Sequence, residues 1–366
     1  MENMVVNSFI DKYKDKRVFI TGHTGFKGSW LCYVLSESGA ILKGLSLAPE
    51  TEPSLYNLIE PHIRIDSVIA DINDDKRVEK EILDFNPDFI FHLAAQPLVR
   101  KSYKEPLNTF STNIMGTAIV LNALQKLNNS CTCLCITTDK VYENKEKDYA
   151  YKETDRLGGY DPYSASKACA ELVISSYCNS FFKTENFVKH KKAVASVRAG
   201  NVIGGGDWSE DRLIPDIATS IATDKPVIIR NPSAIRPWQH VLEPVFGYLQ
   251  LAFALSIDAK KYGGAWNFGP ANSDNLPVMQ IAEMAIATWQ KGKVILQVDP
   301  NADHEANLLQ LDISKVQNGL QWKPLMDTKI AIEKTIAWYK AFYEEKKTAV
   351  SLMENDIIFY KSLLNN

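Results

Sequence analysis

Two short stretches carry residue types at spacings that could do chemistry. The first is ITGHTGFKGSW, residues 20–30. Gly22 to Ser29 nearly spells the triphosphate loop, G-x-x-x-x-G-K-[ST]. That loop needs a lysine directly after its last glycine, so that the ammonium reaches the β and γ phosphates. Here the order is Lys27, Gly28, Ser29. Read instead as G-x-x-G-x-x-G, the run puts Gly22, Gly25 and Gly28 in a turn between a short apolar strand and a helix, with Thr24, Phe26 and Lys27 between them. Backbone N–H groups and a helix N-terminus then face a pyrophosphate. Both readings share that physics, so the rest of the chain decides.

The second stretch, YSASKACAEL, holds Tyr163 and Lys167. Residues four apart share a helix face. Tyrosine titrates near ~10, too high for a base at neutral pH. An ammonium one turn away favours the phenolate and is expected to lower that value. The bland alternative is a solvated lysine beside a half-buried tyrosine. Position favours chemistry, because the pair begins a helix about 140 residues after the glycine turn, beyond a strand that runs into TTDKVY.

The elements that must position these groups follow from periodicity. Apolar runs at 17–21, 41–47, 67–70, 89–93, 134–138 and 193–198 read as strands. Helical stretches lie between them at 26–38, 75–85, 106–127 and 162–182. Strands alternating with helices imply β-α-β units and a parallel sheet covered on both faces. The expected fold class is therefore α/β, a doubly wound Rossmann-type sheet with a smaller, discontinuous C-terminal substrate domain. After residue 200 the chain turns Gly-, Pro- and aromatic-rich. Helices resume at 213–223, 244–255, 278–289 and 330–343, residues 265–269 read as one more strand of the first sheet, and 350–364 as a further helix. The expected domains are 1–200 with about 236–270 for the cofactor, and 201–235 with 271–366 for the substrate.

Composition sets bounds. The chain has 366 residues, is 45% hydrophobic and 23% charged, and carries a net charge of −3. Bulk charge gives no support for a nucleic-acid or anionic-membrane partner. The N-terminal stretch reads as neither signal peptide nor transmembrane segment, which makes the cytoplasm the default location. Cys131, Cys133 and Cys135 fall on one strand face and read as small buried hydrophobes. The histidines show no ligand spacing, so no metal is implied.

The glycine turn, HLAAQ at 92–96, NIMGT at 113–117, TTDKVY at 137–142 and Tyr163-x-x-x-Lys167 occur in the order of the extended short-chain dehydrogenase/reductase family. The chain resembles that family along almost its whole length. GHTGFKGSW, RAGNVIGGGDWSEDRLIPD and IRPWQHVLEP are similar to its sugar-nucleotide dehydratase branch. The turn is therefore read as an NAD site.

The resemblance implies NAD as cofactor, CDP-linked glucose as substrate, a 4-keto-6-deoxy product of the kind that feeds lipopolysaccharide O-antigen, and a homodimer formed through the helices near 106–127 and 162–182. Asp71 and Ile72 match the adenine contact, although Asp71 also reads as a helix cap. Leu93, Ala94, Ala95 and Gln96 line the cofactor cleft. Between 44 and 49 there is no carboxylate for a ribose, and Glu50 is the nearest candidate. Lys27 reads either as a phosphate contact or as a solvated helix residue. Thr138, Tyr163 and Lys167 match the oxidising set, and Asp139 the acid for the departing C6 hydroxyl. Lys140 stands where many relatives carry Glu, and reads either as the C5 base or as a stabiliser of the enolate. Asn201, Arg212 and Arg236 match substrate-diphosphate positions. An epimerase or reductase on the same scaffold is the near alternative, and a silent NAD-sensing scaffold the distant one.

Overall fold

The computed structural model describes residues 7–271, 276–297 and 309–364. Seven strands form the central sheet: β1 (Arg17–Thr21), β2 (Ile41–Ser46), β3 (Ile65–Ile69), β4 (Phe89–His92), β5 (Cys131–Ile136), β6 (Lys192–Ala199) and β7 (Gly264–Phe268). All pairs are parallel, in the order β7-β6-β5-β4-β1-β2-β3. The chain runs outward from β1 to β3, then returns to the far side of β1 as β4. A crevice opens at the carboxyl ends where the order reverses. This is the doubly wound, Rossmann-type fold, and the strand at 265–269 joins its sheet as expected.

The inner strands β1, β4 and β5 are buried along almost their whole length because helices cover both faces. Trp30, Leu134, Val197 and Phe246 belong to the core on one face. Phe19, Val78, Ile82 and Leu121 belong to the core on the other, together with Cys131, Cys133 and Cys135 as free thiols.

The longer helices are α1 (Phe26–Glu37), α2 (Asp75–Phe85), α3 (Gly116–Lys126), α4 (Pro162–Ser180), α5 (Leu213–Ala222), α6 (Leu242–Ile257), α7 (Val278–Trp289), α8 (Thr328–Tyr343) and α9 (Ala349–Leu364). Local signals set their ends. The Asp161 carboxylate accepts from the Ser164 N–H, and Pro162 fills the first helical position of α4, where no donor is needed. Asp74 caps α2 by accepting from the Arg77 N–H, so the cap is not Asp71.

Three boundaries depart from expectation. The single helix at 106–127 is interrupted: Pro106–Phe110 passes through a π-helical turn, Ser111–Met115, before α3 begins. β5 starts at Cys131 and stops at Ile136, which leaves Thr137 and Thr138 on the loop beyond it. β3 begins at Ile65, two residues early, because polar Asp66 and Ser67 hide the strand's pattern.

Beyond residue 200 four short strand pairs hang further chain over the crevice. Val202–Ile203 pairs with Gln239–His240, and Ile235–Arg236 with Leu276–Pro277. Val227–Ile229 pairs with Val294–Leu296, and Ala150–Tyr151 with Gln310–Leu311. Among the described residues no helix is long and apolar enough to cross a membrane.

Candidate active site

The glycine turn leaves β1 and enters α1. Gly22 has φ +74°, and a Cβ there would lie 2.7 Å from the Ala94 backbone N. A Cβ on Gly28 would lie 2.1 Å from the Gly22 carbonyl oxygen. Both positions therefore need glycine, one for its dihedral and both for close approach. Gly25 is exposed and caps α1 without a side chain, so the first-turn N–H groups face the crevice. A backbone turn of this shape, with a bare helix N-terminus, fits a pyrophosphate. Thr24 fixes the turn to the chain after β2: its hydroxyl donates to the Leu47 carbonyl at 2.8 Å. Phe26 packs against the core.

Lys27 is part-buried, which disfavours the reading of a solvated helix residue. Burial first, and then the charges of Lys167 and Arg212, pull its pKa down to about 7, against an opposing pull from Asp139. Lys27 thus faces the crevice and the other cleft charges, instead of standing in solvent. Leu93, Ala94 and Ala95 follow β4 and are part-buried at the same edge. Gln96 is committed elsewhere: its amide binds Leu98 and Thr109, and its backbone pairs with the Asn113 side chain. Ile72 is buried against Gly116, where a Cβ would lie 2.9 Å from its Cγ2. Asp71 is exposed and accepts from the Asn73 N–H at 2.9 Å. Glu50 pairs with Lys101 on the surface.

The second group collects where β5 ends. Tyr163 is buried beside Thr138. The Thr138 hydroxyl donates to Asp139 Oδ1 at 2.9 Å, and the Lys140 ammonium stands 3.5 Å from the same oxygen. Asp139 is fully buried, and its Oδ2 has no partner. That carboxyl borders a pocket lined also by Gly200, Pro237, Gly269 and Leu311. Gly200 makes the room: a Cβ there would lie 1.9 Å from Oδ2.

The tyrosine–lysine expectation needs correction. Burial raises Tyr163 to about 12; the Thr138 hydroxyl opposes this and the Asp139 charge reinforces it. Lys167 gives Tyr163 no net relief, because its own ammonium is buried, donates to the Ile136 carbonyl at 3.2 Å, and falls to about 8. In this protein desolvation outweighs the helix-turn pairing.

The third group comes from the chain over the crevice. Arg212 donates to Asp207 at 2.9 Å and carries charge coupled to Tyr163. Asn201 holds φ 47°, a left-handed conformation that asparagine tolerates, and its carbonyl accepts from the Gln239 N–H. Arg236 is part-buried on the strand paired with Leu276.

Sequence reasoning missed the supports beneath these groups. His92 lies between Thr21 Oγ1 at 2.7 Å and Thr117 Oγ1 at 3.1 Å, linking β1 to α3. Asn113, in the π turn, binds Gln96 and Ser166, tying the loop after β4 to α4. Its place in NIMGT was the available signal. Glu171, Ser196, Arg198 and Gln239 lie too far apart in sequence to give one.

Residues 19–335 match the family model described as GDP-mannose 4,6 dehydratase. The chain belongs to this family. Within it, the chain is 47% identical over 335 residues to CDP-glucose 4,6-dehydratase of Salmonella typhimurium, covering 91% of this chain and 93% of that one. It is 26% identical over 353 residues to dTDP-glucose 4,6-dehydratase of the same species, covering 89% and 93%. Among solved structures, epimerase Mth375 of Methanothermobacter thermautotrophicus shares the family's fold with a TM-score of 0.76 at 21% identity, covering 94% and 98%. MoeE5 in complex with UDP-glucose and NAD gives 0.73 at 19% identity, covering 88% and 98%.

Proposed function

We propose that this chain is an NAD-dependent sugar-nucleotide 4,6-dehydratase that converts CDP-glucose to CDP-4-keto-6-deoxyglucose and acts in the cytoplasm as a homodimer. The observation that carries the reading is Asp139. A fully buried carboxyl, with one unpartnered oxygen and bordering a pocket, follows directly on Thr138, the threonine beside Tyr163. An enzyme that only oxidised or epimerised C4 has no work for such an acid. The CDP-glucose assignment is supported by the 47% identity to the Salmonella relative.

NAD, when bound, supplies a reversible hydride acceptor for C4. The glycine turn and Lys27 hold its pyrophosphate, and Lys167 its ribose. Tyr163 takes the proton from the sugar 4-hydroxyl, with Thr138 bonded to the same oxygen. Tyr163 reaches about 12, chiefly from burial, so it works as a base only when positive charge gathers around it. The C4 ketone acidifies the C5 proton. Lys140 either takes that proton as a free amine or steadies the enolate as an ammonium, and Asp139 is the acid for the C6 hydroxyl, which departs as water. Asn201, Arg212 and Arg236 grip the substrate diphosphate, for which a planar guanidinium fork is suited. The division into a cofactor part, 1–200 with about 236–270, and a substrate part from the remainder belongs to the same proposal.

A panel of nucleotide-glucoses tests the substrate, and CDP-glucose should give the 4-keto product fastest. CDP-glucose deuterated at C4 tests the chemistry. The product should carry that deuterium in its C6 methyl group and one solvent hydrogen at C5, with no net consumption of NAD. Label missing from C6, or NADH accumulating with each turnover, rules the dehydratase out.

A further inference from the structure

Helix α4 presents Tyr163, Lys167 and Glu171 at intervals of four residues, one face over two turns. Each meets the exit of β5. Tyr163 is buried beside Thr138. Lys167 donates to the Ile136 carbonyl at 3.2 Å. Glu171 Oε1 accepts from the Thr137 hydroxyl at 2.6 Å. The last residue of β5 and the first two beyond it thus meet three successive turns, and Thr137 lies two residues before Asp139, which borders the pocket.

Glu171 is the deepest of the three anchors. It is buried, as is Arg198 of β6. Its Oε2 accepts from Ser196 Oγ at 2.8 Å and from Arg198 Nη2 at 2.9 Å. Arg198 continues the network through Nη1 to the Tyr142 hydroxyl at 2.9 Å and the Glu153 carbonyl at 3.1 Å. A buried ion pair is a poor device for stability, because apolar residues of equal volume usually serve as well. A carboxylate here does something an apolar group would not. It places negative charge one turn from Lys167 and fixes the backbone that carries Thr138 and Asp139.

We propose that Glu171 is a positioning residue of this active site, one that fastens helix α4 to the β5 exit and keeps Lys167 in its ammonium form. The inference rests on the reading of Lys167 as a working cation. It is consistent with burial lowering Lys167 to about 8 against opposing pulls from Cys135 first and then Glu171.

The test is the alkaline limb of kcat at saturating CDP-glucose and NAD, where the bound diphosphate holds Lys27 as its ammonium and its own titration near 7 drops out. In the wild type activity should fall above about pH 8, as Lys167 loses its proton. Glu171→Gln is isosteric but leaves Arg198 unpaired. Glu171→Gln/Arg198→Met removes both charges and guards against misfolding. Either folded variant should move the limb down by about one pH unit, tenfold in proton affinity. Ser196→Ala keeps the carboxylate and should leave the limb in place. Glu171→Asp keeps the charge but retracts from Thr137, so it should keep the limb and lose rate at every pH. A limb unmoved in a folded carboxylate-free variant overturns the proposal, and so does a limb that moves in Glu171→Asp. A wild type with no alkaline limb at all would instead refute the role of Lys167.

Discussion

Lys27 shows how one residue can report on its site. A lysine near 7 is part-protonated at neutral pH, and an arriving diphosphate favours the ammonium. Binding of NAD or CDP-glucose should therefore take up a fraction of a proton from solvent. Calorimetry at pH 7.5 in two buffers of different ionisation enthalpy reads this directly. The heats should differ in the direction of uptake, and Lys27→Met should shrink the difference and weaken binding. Uptake that survives Lys27→Met unchanged would remove Lys27 from the phosphate site.

At the scale of elements, the C-terminal helix was legible as a helix, but what it covers was not. Glu243 of α6 is fully buried beneath α9. It accepts from the Leu325 and Met326 N–H groups at 2.8 and 2.7 Å and from the Tyr360 hydroxyl at 2.8 Å. Burial raises its pKa to about 7, from 4.5. The folded state thus keeps a proton that the unfolded chain releases, so this group costs stability as pH rises from about 4.5 to 7 and levels off above. Asp356 of α9, likewise raised to about 7, adds a cost of the same sign. His240, lowered to about 3, acts oppositely but only below its ordinary value of 6.5. Comparing variant with wild type cancels both. Glu243→Gln keeps an acceptor for both N–H groups and carries no charge. Its melting temperature should match the wild type near pH 5 and exceed it by on the order of 3 °C at pH 8. A variant less stable than wild type at pH 8 would show that the fold needs the charge.

The same contrast runs through the whole site. The alternation of β1–β6 with helices, the Gly22 turn and the Tyr163/Lys167 face were readable because each depends on neighbours in sequence. The direction of the Tyr163 shift was not, because burial is a property of the assembled crevice. The Glu171–Arg198 pair was hidden for the same reason, since it joins residues of α4 and β6 that meet only in the sheet.

At the scale of the whole molecule, four exposed apolar side chains lie on or beside the 106–126 segment and α4, which pack together: Leu107, Met115, Leu172 and Phe181. Two copies joined through these helices would bury them on both. Sedimentation should give twice the chain mass of 41.1 kDa, and Leu172→Glu should give a single chain. A wild type that sediments as one chain at micromolar concentration sinks the dimer.

The contact between Gly200 and Asp139 has a consequence for how this sequence can change. Any other residue at position 200 begins with a carbon where the acid's free oxygen now lies. Tyr163 and Lys167 stand on α4 and need not move with it. One substitution therefore separates this chain from one that oxidises C4 but no longer expels the C6 hydroxyl. Gly200→Ala should exchange the C4 hydrogen with the cofactor while forming little 6-deoxy product, and full dehydration by that variant would refute the link. Two activities that differ in name and product stand one mutational step apart, separated by a single methyl group.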